Sequence, residues 1–166
     1  MEIGLSLGSN LGDRLKNLKQ ARESLSAIKH LALIDCSSVY ETEPVDVLPE
    51  YAGMPFLNAV LIVDTDVHVE LFLDGFLSIE KEMGRRRDNR NAPRPMDIDI
   101  IYAGNTVVKN TVLEIPHPRW SRRRFVVQPL VEIRPDLRIP GEKRTVREVL
   151  LTLPEEPKVV LFTSQW

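Results

Sequence analysis

The order of hydrophobic patterns along the chain predicts an α+β fold with an antiparallel sheet. Alternating apolar residues mark strands at residues 3–7, 31–40, 56–63 and 97–101, because side chains in a strand point alternately to its two faces. Apolar residues at helical spacing mark one helix after the first strand and another before the last. The resulting order, β-α-β-β-α-β, is that of a ferredoxin-like sandwich, with additional C-terminal elements.

The first helix is predicted from apolar residues on one face: Leu15, Leu18, Ala21, Leu25 and Ile28. Asn10 or Asp13 is expected to cap it, because either side chain can accept a hydrogen bond from a free backbone N–H. Residues 31–40 then form a strand, and residues 41–55 are expected to form a long loop because proline and glycine interrupt them.

The second helix is expected to begin at Thr65 or Asp66 and to end at Gly84. Its inward face is predicted to carry Val69, Phe72, Phe76, Ile79 and Met83. After the strand at residues 97–101, the dipeptide Gly104-Asn105 predicts a hairpin to a short strand at residues 106–108.

The last third of the chain is punctuated by prolines, with few regular elements predicted. Thr145 and Glu148 have the spacing of a capping box, which predicts a short helix ending at Leu151. Residues 159–162 predict a final strand.

Composition narrows the class of protein. A length of 166 residues predicts a single domain over residues 1–166. The one cysteine, Cys36, excludes an intrachain disulfide, and no long apolar run or leader is found, so a cytoplasmic protein without membrane contact is expected. The net charge of −2 favours small-molecule substrates over nucleic acid, and the protein is expected to be a monomer or weak homodimer.

The most informative segment is residues 90–101, where Asp97 and Asp99 follow a stretch rich in arginine. In a strand both carboxylates point to one face, and two acids side by side repel unless a cation lies between them. Mg²⁺ prefers such oxygen ligands, and arginine binds phosphate oxygens. The segment therefore indicates a site for a metal ion and a phosphorylated nucleotide, although an Asp-x-Asp pair alone is often only a solvated strand face.

The same segment carries a signature: a basic residue, a small residue, Pro-Arg, two variable positions and Asp-Ile-Asp. Further fragments occur in a fixed order: GSNL at residues 8–11, YETEP at 40–44, FLNA at 56–59, GRRR at 84–87, IPHP at 115–118 and RRF at 123–125. Together they resemble the 6-hydroxymethyl-7,8-dihydropterin pyrophosphokinases of folate biosynthesis.

The resemblance implies transfer of pyrophosphate from ATP to the hydroxyl of the reduced pterin alcohol, with release of AMP. It implies ATP as co-substrate and Mg²⁺ as cofactor, with two ions expected, ~3.5–4 Å apart. The residues implied are catalytic Arg85, Arg94, Asp97 and Asp99, of which the two aspartates hold metal; ATP-binding Glu80, Arg87, Arg90, Arg94, Ile100, His117 and Arg123; and pterin-binding Thr42, Pro44, Val45, Phe56, Asn58 and Phe125.

Three positions depart from the family pattern: Asn91 replaces a common tryptophan, Pro118 a common tyrosine, and Glu43 a common proline. Trp120 is a candidate to replace the missing aromatic. Arg86, Arg122 and Arg124 are assigned to solvated surface.

The residues alone are also compatible with two other classes of protein function. A ferredoxin-like sheet with basic loops is also typical of RNA-binding modules, although Asp97 and Asp99 would repel phosphate without a metal. A two-metal phosphatase would use the same acids, but it would hydrolyse ATP without a pterin acceptor.

Overall fold

The computed structural model describes residues 1–44, 49–85 and 92–166. Its strands and helices within these ranges are, in chain order, β1 (Glu2–Ser9), α1 (Arg14–Ser26), β2 (Ala32–Cys36), β3 (Val39–Thr42), β4 (Phe56–Asp64), α2 (Leu73–Glu82), β5 (Asp97–Ala103), β6 (Val108–Lys109), β7 (Glu114–Ile115), α3 (Arg124–Ile133), α4 (Val146–Thr152) and β8 (Val159–Thr163). Short 3₁₀ segments lie at Pro49–Tyr51, Val69–Phe72 and Trp120–Arg122.

The main sheet is antiparallel, with strand order β5-β1-β4-β3-β8 and β2 paired to β4. The predicted ferredoxin-like α+β fold is confirmed. Apolar side chains of α1 and α2 pack on one face of the sheet, against Leu5, Leu7 and Leu61. Those of α3 and α4 pack on the other face, against Val60 and Ile62. The sheet therefore lies between two helical layers, which bury apolar area on both sides.

Several predicted helix signals are confirmed. Asp13 caps α1 by accepting a hydrogen bond from Lys16 N at 3.0 Å, whereas Asn10 has another role described below. Thr145 and Glu148 form the predicted capping box of α4. The second helix begins later than predicted, because the apolar residues from Val69 onward first form a 3₁₀ segment and the α-helix starts only at Leu73.

The strand predicted at residues 31–40 is divided into β2 and β3. Val60 N donates to the side-chain oxygen of Ser37 at 2.9 Å, and Ser37 N donates to Val60 O at 2.9 Å. A hydroxyl that replaces a backbone acceptor interrupts the ladder, which explains the division.

The hairpin predicted at Gly104-Asn105 is wrong. The chain does turn there, with Gly104 at φ +51, but the next strand, β6, pairs with β7 rather than β5. His117 N donates to Ile101 O at 2.9 Å, so the outer edge of β5 is bonded to the chain after β7 instead. A further helix, α3, is not predicted from the sequence, because it contains Pro129 and a proline inside a segment normally argues against a helix. Among the helices of the described ranges, none has the length and hydropathy needed to cross a bilayer.

Candidate active site

The two aspartates of β5 stand on one face of the sheet, as the alternation predicts. Asp97 lies opposite Gly8 of β1, and Asp99 lies opposite Ser6. Ile98 points to the other face and is buried in the core beneath α1 and α2. The regular pleat of a strand that is anchored on its apolar side therefore fixes both carboxylates.

Arg85 lies directly beside Asp97 and is held there by Glu80. Its Nη1 donates to Asp97 Oδ1 at 2.5 Å and also to Glu80 Oε1. Glu80, on α2, is only 2% exposed and also accepts from Ile98 N at 2.8 Å. Since that carboxylate bonds both the β5 backbone and the guanidinium, it ties the end of α2 to the start of β5.

Arg94 approaches Asp97 from the other side. Its Nε lies 2.9 Å from Asp97 Oδ2, an ion pair whose N–H is not aligned for a hydrogen bond. Its guanidinium carbon lies 5.5 Å from the centre of the Phe56 ring, within the range of a cation–π contact. Arg94 thus connects the carboxylates with an aromatic side chain on β4.

Asp99 is held more loosely than Asp97. Arg123 Nη1 is 3.5 Å and His117 Nε2 is 3.9 Å from its Oδ2, and 41% of its side-chain surface is accessible. Surrounding protein atoms raise the pKa of Asp99, the nearby charge of Asp97 raises it further, and Arg123 and Arg85 act in the opposite direction. A carboxylate whose charge is disfavoured in this way favours the approach of a cation.

His117 is positioned as a hydrogen-bond donor. Its Nδ1 accepts from Arg119 N at 3.0 Å, so in the neutral ring the hydrogen is on Nε2, which faces Arg123 Nη1 at 3.4 Å. Burial, followed by the charges of Arg123 and Arg119, lowers the pKa of His117 to about 4. Two donors that lie this close to each other can share an acceptor such as a phosphate oxygen.

The acidic pair fits a cation that takes few protein ligands. In residues 1–44, 49–85 and 92–166, no three side chains of His, Cys, Asp or Glu gather into a metal-binding cluster. Mg²⁺ often takes only one or two carboxylates and completes its shell with water and substrate phosphates. Asp97 and Asp99 fit that donor set.

Gly8 of β1 lies beside Asp97 and is closely surrounded by the side chains of Asn58 and Phe56. A Cβ added at Gly8 would lie 3.2 Å from Asn58 Oδ1, 3.7 Å from Phe56 Cδ1 and 4.0 Å from Asp97 Cβ. Asn58 Nδ2 donates to Thr42 Oγ1 at 2.8 Å, which turns its Oδ1 toward Gly8. The absence of a side chain at Gly8 therefore leaves Asn58 Oδ1 free of a tight 3.2 Å contact, and the amide oxygen, the Phe56 ring and Asp97 lie around this one position of β1.

Of the other predicted site residues, some lie near the two aspartates, one has its side chain in the core, and others lie outside the described residues. Phe125 is the second residue of α3, and its ring centre lies 5.5 Å from the guanidinium carbon of Arg123. Pro44 is half-buried beyond β3. The Ile100 side chain lies in the core on the opposite face, so only its backbone is near the site. Val45, Arg87 and Arg90 lie outside the described residues, as do Arg86 and Asn91.

Trp120 cannot replace the missing tryptophan. It is 5% exposed and packs in the core beneath α3 and α4, where it lines a small pocket together with Ser6, Asp99 and His117. Sequence reasoning also missed two contributors, Gly8 and Asn10. Gly8 lies near the end of β1 and Asn10 directly follows that strand, and neither carries the charge or aromatic ring that usually marks a site.

Comparison with known proteins gives a consistent family assignment. Residues 4–135 match the family model described as 7,8-dihydro-6-hydroxymethylpterin-pyrophosphokinase. The 2-amino-4-hydroxy-6-hydroxymethyldihydropteridine pyrophosphokinase of Methylorubrum extorquens is 40% identical over 150 residues, which are 90% of this chain and 91% of that protein. The folic acid synthesis protein fol1 of Schizosaccharomyces pombe is 37% identical over 92% of this chain, which spans only 20% of fol1.

A crystal structure of HPPK-DHPS in complex with substrates shares the fold, with a TM-score of 0.70 at 15% identity over 90% of this chain and 42% of that one. The sequence matches and the shared fold therefore agree. The chain belongs to the 7,8-dihydro-6-hydroxymethylpterin-pyrophosphokinase family.

Proposed function

We propose that this protein transfers the pyrophosphoryl group of ATP to the hydroxyl of 6-hydroxymethyl-7,8-dihydropterin and releases AMP. The observation that carries the proposal is the convergence of Arg85, Arg94 and Arg123 around Asp97 and Asp99. A triphosphate cut between its α- and β-phosphorus develops charge that needs cationic groups at fixed positions. The family match supports the same reaction.

Asp97 and Asp99 would hold Mg²⁺, two ions being the expectation from family resemblance. When bound, Mg²⁺ would neutralise charge on the phosphates and lower the pKa of a coordinated hydroxyl. Asp97 is paired with Arg85 and Arg94. The carboxylate that would hold the metal therefore also positions two guanidinium groups that would bind phosphate oxygens beside it.

Four described side chains would bind the triphosphate. Arg123 and His117 Nε2–H present two neighbouring donors, and Arg85 and Arg94 present two more beside Asp97. His117 donates rather than acting as a base, because its Nδ1 already accepts a backbone N–H. Arg87 and Arg90 remain predicted ATP contacts.

Glu80 and Ile100 have indirect roles in this proposal. Glu80 orients Arg85 from its buried position instead of contacting ATP, since a second carboxylate facing phosphate would repel it. Ile100 would contribute its backbone at the edge of β5. Ile98 N faces that edge, and strand backbone groups alternate in direction, so those of Ile100 face it too.

The pterin would lie over Gly8. Asn58 Oδ1 offers an acceptor to its ring edge, and Phe56 and Phe125 offer aromatic faces for stacking. Thr42 fixes the amide of Asn58, and Pro44 and Val45 are predicted at the rim. In this arrangement the pterin hydroxyl would lie on the side of Asp97, where the phosphates would bind.

Product analysis tests the proposal. Incubation with ATP, Mg²⁺ and the reduced pterin alcohol should give AMP, and omission of either the pterin or the metal should stop its formation. ADP or free phosphate formed without pterin would instead support the two-metal hydrolase. The match to a pyrophosphokinase family gives no support to the RNA-binding alternative.

Because the chain spans about a fifth of the fungal relatives, activity, substrates and partners remain proposals here. The single catalytic domain over residues 1–166, the cytoplasmic location and the monomeric or weakly dimeric state stay predictions, as does the absence of nucleic-acid and membrane partners.

A further inference from the structure

Asn10, at the corner between β1 and α1, holds the backbone of Arg94 in both directions. Arg94 N donates to Asn10 Oδ1 at 2.8 Å, and Asn10 N donates to Arg94 O at 3.2 Å. Asn10 is only 4% exposed. The side chain is therefore a buried connection between two segments that lie far apart in sequence.

The local sequence explains why this connection is needed. Arg94 lies between Pro93 and Pro95, and proline has no backbone N–H. Arg94 therefore has the only N–H in this tripeptide, and the ladder that pairs Gly8 with Asp97 cannot continue backward through ordinary strand pairing. Asn10 binds both the N–H and the carbonyl of the one residue that can still be held.

The two hydrogen bonds between Asn10 and Arg94, called the clasp below, set the position from which the Arg94 side chain extends. From there its guanidinium reaches Asp97 and the face of Phe56, and so stands between the acidic pair and the proposed pterin surface. A charged group acts on a transition state only when it is held close to its productive position, so a small shift of the backbone is costly for the rate.

We propose that Asn10 is a positioning residue that fixes Arg94 for the transfer step. The inference rests on the proposed function for its kinetic consequence, but the clasp itself does not depend on that function. Loss of the amide oxygen leaves the Arg94 N–H without its partner and lets residues 93–95 shift. Turnover then falls, while the affinity for ATP changes little.

The first arm of the test measures hydrogen exchange at Arg94 by mass spectrometry, without ligands. The flanking prolines contribute no amide signal, so a short peptide reports Arg94 almost alone. Asn10→Ala should exchange faster by tenfold or more, whereas Asn10→Asp, which keeps an acceptor oxygen, should retain protection. Asn17→Ala is the matched control, because Asn17 bonds Ser9 Oγ and Leu11 O in the same corner without contacting Arg94.

The second arm is a double-mutant cycle on kcat and KM. Asn10→Ala should lower kcat about tenfold or more in the wild-type background and have no further effect on Arg94→Ala. Asn10→Asp should restore most of the rate. If Asn10→Ala does not fold, Asn10→Ser, which removes the amide and shortens the side chain, replaces it.

Unchanged protection of the Arg94 amide in Asn10→Ala would overturn the clasp. Equal losses of kcat in both backgrounds would overturn its kinetic role. A wild-type protein that forms no AMP would instead refute the proposed function, and the exchange measurement would still decide the clasp.

Discussion

Replacing each aspartate of β5 by asparagine should change stability in opposite directions. The substitutions remove a charge and keep the size of the side chain, so they isolate electrostatics. Asp97 is paired with Arg85 and Arg94, whereas the partners of Asp99 within the described part of the chain are more distant, at 3.5 and 3.9 Å. We therefore expect Asp99→Asn to stabilise the protein when metal is removed, and Asp97→Asn to destabilise it.

The magnitude for Asp99 follows from its pKa. Burial and the charge of Asp97 raise the pKa of Asp99 from 3.8 to about 6. For a carboxyl fully shielded from water, a rise in pKa from 3.8 to about 6 would correspond to about 3 kcal/mol. Because 41% of the side chain is accessible and solvent screens its charge, we reduce this to about 1 kcal/mol.

The sign of the pH dependence is fixed by the same shift. The folded protein binds the Asp99 proton more tightly than the unfolded chain, so stability falls as pH rises from about 4 to about 6. Asp99→Asn lacks this titration. The gain in its free energy of unfolding over wild type should be near zero at pH 4 and complete above pH 6.

Asp97→Asn should lose the stabilisation that a partly buried ion pair provides. The side chains of Asp97 and Arg85 are 19% and 18% exposed, and removal of one partner leaves the other poorly solvated. We expect Asp97→Asn to lower the free energy of unfolding by about 2 kcal/mol.

Urea denaturation in EDTA across pH 4 to 8 measures both effects. Asp99→Asn that destabilises the protein at pH 7, or a gain that does not depend on pH, would refute this account of the acidic pair. A change of the same sign in both variants would contradict the distinction between them.

Two further substitutions and one NMR measurement test the rest of the site. Arg94→Ala should lower kcat at least tenfold with little change in ATP affinity, whereas Arg122→Ala, at an exposed residue, should match wild type. Equal losses of kcat in the two variants would show that the arginines act only through a general positive field. Gly8→Ala should raise the KM for pterin but not for ATP, because the added Cβ would lie 3.2 Å from Asn58 Oδ1. An unchanged KM for pterin would show that the pterin ring does not bind over Gly8. Nitrogen NMR should show His117 neutral, with the hydrogen on Nε2, down to about pH 5; titration near pH 6.5 would contradict its burial.

The features that the sequence predicted best depend on residues that are close together in the chain, such as the alternation of apolar and polar side chains in a strand. The pleat of a strand with one apolar face placed Asp97 and Asp99 together and Ile98 opposite them, and this arrangement needs no knowledge of distant residues. The capping box at Thr145 is equally local, because a helix terminus must satisfy its own free N–H groups.

What the sequence could not predict depends on partners far along the chain. The edge of β5 is bonded by His117, and β6 pairs with β7, so β5 and β6 do not form the predicted hairpin across Gly104. α3 keeps its helical form despite Pro129 because Val126, Val127 and Leu130 are buried against the sheet. The spacing of these three apolar residues was the available signal for that helix.

The same reason explains the missed and revised site residues. The clasp between Asn10 and Arg94 joins residues from opposite parts of the sequence, and its only local sign is a lone N–H between two prolines. Glu80 matches a family position, but its buried bonds to Arg85 and Ile98 are visible only in the folded chain.

The most direct test of pyrophosphoryl transfer at this site follows the β-phosphorus of ATP. With ATP carrying radioactive phosphorus at the β-position, label should enter the pterin product in an amount equal to the AMP released. Asp99→Asn should show neither product while remaining folded. Label recovered in ADP or free pyrophosphate, or full transfer by Asp99→Asn, would contradict the account.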